Sequence, residues 1–116
     1  MDLRARLLRL DGNLDVLRQI CAGAANGAQW VAPLQVRRAM VADALARLAL
    51  LTPDEIRDLG AALDLGTRYG LGDWGPLQNA PGGGRVAAST AEKFAVAYAE
   101  MQRDVEALRL FGRVQN

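Results

Sequence analysis

The sequence contains no histidine and a single cysteine, Cys21. Its only serine is Ser89. Without imidazole there is no Ser-His-Asp arrangement and no histidine to activate the thiol. Zinc and copper sites of the common types need several His or Cys ligands, which this chain lacks. One cysteine allows no disulfide within the chain, which suits a reducing compartment. Aromatic residues are also scarce, at 5%. The net charge is only +1, so no global field draws the chain to nucleic acid or to anionic lipid. Long apolar runs are absent as well. The richest stretch, 41–51, is broken by Asp43 and Arg47, too short and too charged for a membrane span. The N-terminal apolar positions are interrupted by Arg4, Arg6 and Arg9, which is not the pattern of a secretion signal. These features together predict a cytoplasmic setting.

Hydrophobic residues make up 51% of the 116 positions and charged residues 23%, the balance of a globular chain. With so few aromatics the core falls to Leu, Ala and Val, and Leu and Ala favour helix. The length fits one domain. Leu3, Leu7, Leu10, Leu14, Leu17, Cys21 and Ala24 alternate by four and three, one face of a helix over about 2–25. The triplet Asp11-Gly12-Asn13 interrupts the composition but not the phase, which favours one helix. The alternative is a break with Asp11 or Asn13 as a new N-cap. Gly23, Asn26 and Gly27 stop this helix. Pro33 fits the first turn of a second helix over 33–51, with Trp30 in the connector before it. The apolar face of this second helix is broad, as expected of a central, well-covered helix.

Thr52-Pro53-Asp54-Glu55 is a capping box with proline at the first helical position, and Leu51 and Ile56 are spaced as a hydrophobic staple. It predicts a third helix over 53–66. Residues 70–88 carry Gly72, Gly75, Pro76, Pro81 and Gly82-Gly83-Gly84, which predicts a long loop. Ser89-Thr90-Ala91-Glu92 offers a second capping box for a last helix over about 90–111, with Gly112 as its C-cap. The expected fold is all-α: a four-helix antiparallel bundle with a long Gly/Pro-rich loop before the last helix.

No catalytic residue, cofactor site or metal site is assigned. Asp54, Glu55 and Asp58 cluster at a helix start, where negative charge offsets the helix dipole without any cation. Gly82-Gly83-Gly84-Arg85 lies ahead of Ser89 and Thr90, but the spacing is not that of a P-loop. Phosphate or nucleotide binding by 82–90 is therefore a second alternative. Nucleic-acid binding is the first alternative, carried by Arg4, Arg6, Arg9, Arg37 and Arg38. It is opposed by the acids that open the third helix. The favoured function is a non-enzymatic protein-protein interaction module: an adaptor, chaperone or small regulator. Trp30, Leu71, Trp74, Leu77 and Arg85 are its candidate partner-binding residues. The narrow stripes of the first and last helices offer seams for a second copy, so a homodimer is expected.

Overall fold

A computed structural model describes residues 2–23, 27–64 and 85–112 (backbone only for 85–89). Four α-helices lie among them: α1 Leu3–Gly23, α2 Ala28–Ala46, α3 Pro53–Leu63 and α4 Arg85–Arg109. A 3-10 turn, Leu48–Leu50, joins α2 to α3. No strand occurs among the described residues. The described residues are all-helical in their regular structure, and the helices pack as a bundle.

The Asp2 carboxylate accepts a hydrogen bond from the Ala5 N–H at 2.7 Å, satisfying one free donor of the first turn of α1. The helix then runs without a break through Asp11-Gly12-Asn13. Leu7, Leu10, Leu14, Leu17 and Cys21 are all fully buried, as the four-three spacing predicts. They meet Phe94, Ala97, Met101, Val105 and Leu108 of α4 and Leu34, Val41 and Ala44 of α2 in one core.

α1 packs against both α2 and α4, and α3 packs mainly against α4. The central helices are therefore α1 and α4, not α2. The broad apolar face of α2 does pack inward, with Leu34, Val41 and Ala44 buried and Met40 and Leu45 resting on the core, but the opposite face is largely alanine, which sits well on an exposed helix. Ala28, Ala32, Ala39, Ala42 and Ala46 are in fact exposed.

α2 also begins earlier than its proline suggests. It starts at Ala28, capped by Gly27, and Pro33 lies inside it. A β-carbon at Gly27 would strike the Cys21 carbonyl, so the α1–α2 joint closes only on glycine. The extra turn lets Trp30 and Val31 reach the core, and this packing outweighs the hydrogen bond lost at Pro33. Trp30 is thus a helical residue, not part of a connector.

The third helix starts as the sequence predicts. Thr52 Oγ1 accepts from the Glu55 N–H and a Glu55 carboxylate oxygen accepts from the Thr52 N–H, both at 3.2 Å. Leu51 packs against the core and Ile56 is buried in it, as the staple spacing predicts. Replacing Thr52 with alanine is expected to cost about 1 kcal/mol, read as a lower denaturation midpoint at unchanged slope. α3 ends at Leu63, short of the predicted 66.

α4 begins at Arg85, so residues 85–88 are helix rather than loop and Ser89 lies inside the helix instead of capping it. Residues 85–88 include two alanines, which let the helix propagate back past the local capping signature. Phe94 and Tyr98 stack with centroids 5.8 Å apart. Beyond α4 the chain turns through Gly112 at φ +79°, the left-handed geometry expected of its C-cap.

Candidate functional site

Most of the arginines singled out in the sequence are spent on holding helices together. Arg6 and Arg9 of α1 converge on Asp104 of α4. One ring out, Asn13 Nδ2 donates to Glu100 at 3.1 Å. On the other flank of α1, Arg38 of α2 donates to Asp11 and Asp15, each at 3.0 Å. Asp15 also accepts from Arg18 and from Gln19 at 2.8 Å. Arg37 donates to the Pro33 carbonyl at 3.0 Å, and Arg57 to the Phe111 carbonyl at 2.8 Å. Arg109 meets Asp64 at 3.2 Å. Three of the five guanidiniums named for nucleic-acid binding, Arg6, Arg9 and Arg38, are thus paired with carboxylates in place.

These pairs leave a pH signature. The hydrogen bond from Arg18 holds the Asp15 carboxyl below its ordinary value of 3.8. The Thr52 N–H holds Glu55 below 4.5. In the unfolded chain both groups bind a proton more readily. Their contribution is complete above the ordinary values and drains away as pH falls through the depressed ones. Stability is therefore expected to be level down to about pH 5 and to decline below about pH 4. Asp15→Asn is expected to flatten part of that decline in acid titrations followed by circular dichroism; an unchanged profile would count against the pairing.

Among the described residues, the thiol and two of the three acids that open α3 are enclosed or occupied. Burial pushes the Cys21 thiol up to about 11, so it stays protonated at neutral pH. Asp54 pairs with Arg57, and Glu55 is committed to the Thr52 cap. No group of three potential metal ligands gathers among the described residues. None of the helices described is long and apolar enough to cross a membrane. The glycine run 82–84 lies outside the described residues, and no helix start falls at Ser89 for an anion to use.

Of the predicted contact residues, Trp30 is half-buried on α2 against the core, with its indole N–H enclosed and without an acceptor. Arg85 opens α4. Leu71, Trp74 and Leu77 lie outside the described residues.

The feature missed from the sequence is a groove between α2 and α3. These two helices scarcely touch, because α2 leans on α1 while α3 leans on α4. The opening between them measures about 310 Å³. Its floor is apolar: Met40, Ala44, Leu51 and Leu59, with Ala62 at the edge. Its rim is charged: Asp43 and Arg47 from the α2 side, Glu55 and Asp58 from α3. Arg47 bonds Asp43 at 2.7 Å and lies 3.7 Å from Glu55. Asp58 is exposed and, among the described residues, its side chain has no ion or hydrogen-bond partner. The clue in the sequence was weak, since Asp54, Glu55 and Asp58 all read as ordinary helix-start acids. Only Asp58, a full turn in, lacks that local use. No protein-family model, curated protein or solved structure matches this chain.

Proposed function

We propose that the chain is a non-enzymatic helical protein-protein interaction module, an adaptor, chaperone or small regulator, that works as a homodimer. The observation that carries this reading is the α2–α3 groove. It is an open trough with an apolar floor and a polar rim, the surface on which a partner's helix can lie. The enclosed, protonated thiol and the arginines locked in interhelical pairs favour action through shape over chemistry.

The seams expected to recruit a second copy are consumed within one chain: the α1 stripe is fully buried against α2 and α4. A surface left for a twin, among the described residues, is the outward face of α2, where Ala28, Ala32, Val36, Ala39 and Ala42 carry no charge and Val36 is 58% exposed. Light scattering should give twice the chain mass, and Val36→Lys should return it to the monomer. A monomeric wild type would remove the homodimer from the reading.

Partner docking is tested by placing a small diazirine photo-crosslinking residue, too short to fill the groove, at Ala62 on its edge or at Val96, exposed on α4 away from it. A discrete heterologous adduct from position 62 and none from position 96 is expected. No adduct from position 62 would overturn the groove as the contact surface.

A further inference from the structure

We infer that the α2–α3 groove takes a cationic amphipathic helix of a partner protein, with its apolar side chains on the floor and a Lys or Arg against Asp58. This rests on the docking reading of the groove. Three observations lead from the groove to that occupant.

The first is charge. The rim carries three carboxylates against one guanidinium, in a chain whose overall charge is +1. The local sign therefore opposes the global one. Two of the three acids have structural work: Asp43 holds Arg47, and Glu55 closes the cap of α3. Asp58 has neither use. A bound cation at Asp58 would complete the rim's pairing, whereas an acidic partner would meet uncompensated repulsion.

The second is size. About 310 Å³ lies at the lower end of the roughly 300–1,000 Å³ typical of ligand clefts. It suits two or three apolar side chains rather than a large cofactor. The third is the floor. Met40, Leu51 and Leu59 are half-buried and packed on the core, so they form a firm apolar bed. Met40 can adapt to side chains of different shape. Helix-in-groove recognition presents anchors at i, i+3 and i+4, which fits a trough running between two helices.

The test uses the full chain and two labelled helical 18-residue peptides with the same leucine face. One carries lysine on its polar face and the other glutamine. Fluorescence anisotropy is expected to show the lysine peptide binding about tenfold tighter. That advantage should vanish in about 1 M salt, where the screening length falls to about 3 Å, and in Asp58→Asn. Ala62→Trp, which fills the groove from an exposed position, should abolish binding of both peptides. Circular dichroism melts confirm that each variant is folded. Equal binding of the two peptides, or an unchanged lysine preference in Asp58→Asn, would overturn the cationic occupant and leave the docking reading standing. Binding of neither peptide, or indifference to Ala62→Trp, would overturn the groove as a docking site altogether. Displacement of the lysine peptide by an equal concentration of spermidine would assign the site to small polyamines and overturn the helix.

Discussion

Replacing Asp104 with alanine is expected to destabilise the fold by about 3 kcal/mol, the lower end of the roughly 3–5 kcal/mol seen when one partner of a buried ion pair is removed. Asp104 has no exposed surface, although it sits on α4 among Met101, Val105 and Leu108. Its carboxylate accepts from Arg6 at 2.8 Å, from Arg9 Nε at 2.8 Å and from Arg9 Nη2 at 2.6 Å. The two Arg9 bonds form a fork onto both carboxylate oxygens, the geometry in which guanidinium binds carboxylate best. That hydrogen bonding raises the Arg9 pKa further. Without Asp104, two like charges one helical turn apart on α1 lose the carboxylate they share, and only the Glu100 carboxylate still acts on Arg9. The lower figure follows because the Arg6 and Arg9 side chains are 24% and 36% exposed, so each guanidinium can turn partly toward water.

Against a total stability of about 5–15 kcal/mol, such a loss is a large fraction. The denaturant midpoint should fall with little change in slope. A loss below about 1 kcal/mol would show that the pair behaves as a surface contact. A companion variant separates the penalty of an orphaned charge from the worth of the pair. Leucine at positions 6, 9 and 104 together should recover most of the stability, because apolar replacement of a whole buried ion cluster is often neutral or better. If the triple variant falls as far as the single one, the ion cluster itself, rather than mere compensation, holds α1 to α4.

The Asp104 cluster also marks where sequence reading stops. The stripe of α1 and the cap of α3 are local: spacing alone places Leu7 to Cys21 on one face, and Thr52 and Glu55 need only each other. Both are as expected. The start of α2 departs from the local pattern because Pro33 is a strong local signal, while the packing of Trp30 and Val31 on the core that overrides it is tertiary. The start of α4 departs from it the other way, since Ser89-Thr90-Ala91-Glu92 has the form of a cap but nothing there forces the helix to begin. Arg6 and Arg9 left a usable trace. They flank Leu7 and Leu10 with helical spacing, as Asp104 flanks Val105, so opposite charges adjoin two stripes that must meet. The groove left almost none. It exists because α2 and α3 lean on different neighbours, a relation between four helices that no short window contains.

The close contact of α3 with α4 supports the second large effect. Gly60→Ala is expected to destabilise the chain by about 2 kcal/mol, although alanine is the better helix former by about 1 kcal/mol. Gly60 is buried, and an added β-carbon would lie 2.7 Å from the Arg109 backbone nitrogen and 2.9 Å from Leu108 Cβ. The Arg109 side chain could swing aside. The backbone atom and the Leu108 β-carbon cannot move without α4. The short helix must therefore lift, loosening Ile56 and Leu63, and overpacking of this kind costs about 1–3 kcal/mol or more. The upper end applies here, and it exceeds the helix-propensity gain. Gly12→Ala is the control, because a β-carbon there meets nothing within 4 Å on an exposed face of α1. It should gain about 0.5–1 kcal/mol. Thermal melts should move in opposite directions, by several degrees each. Lifting α3 would also reshape the groove, so Gly60→Ala should weaken the lysine peptide while Gly12→Ala leaves its affinity alone. A rise in melting temperature for Gly60→Ala would mean that α3 does not rest on α4 at this point, and the groove wall it forms would have to be redrawn.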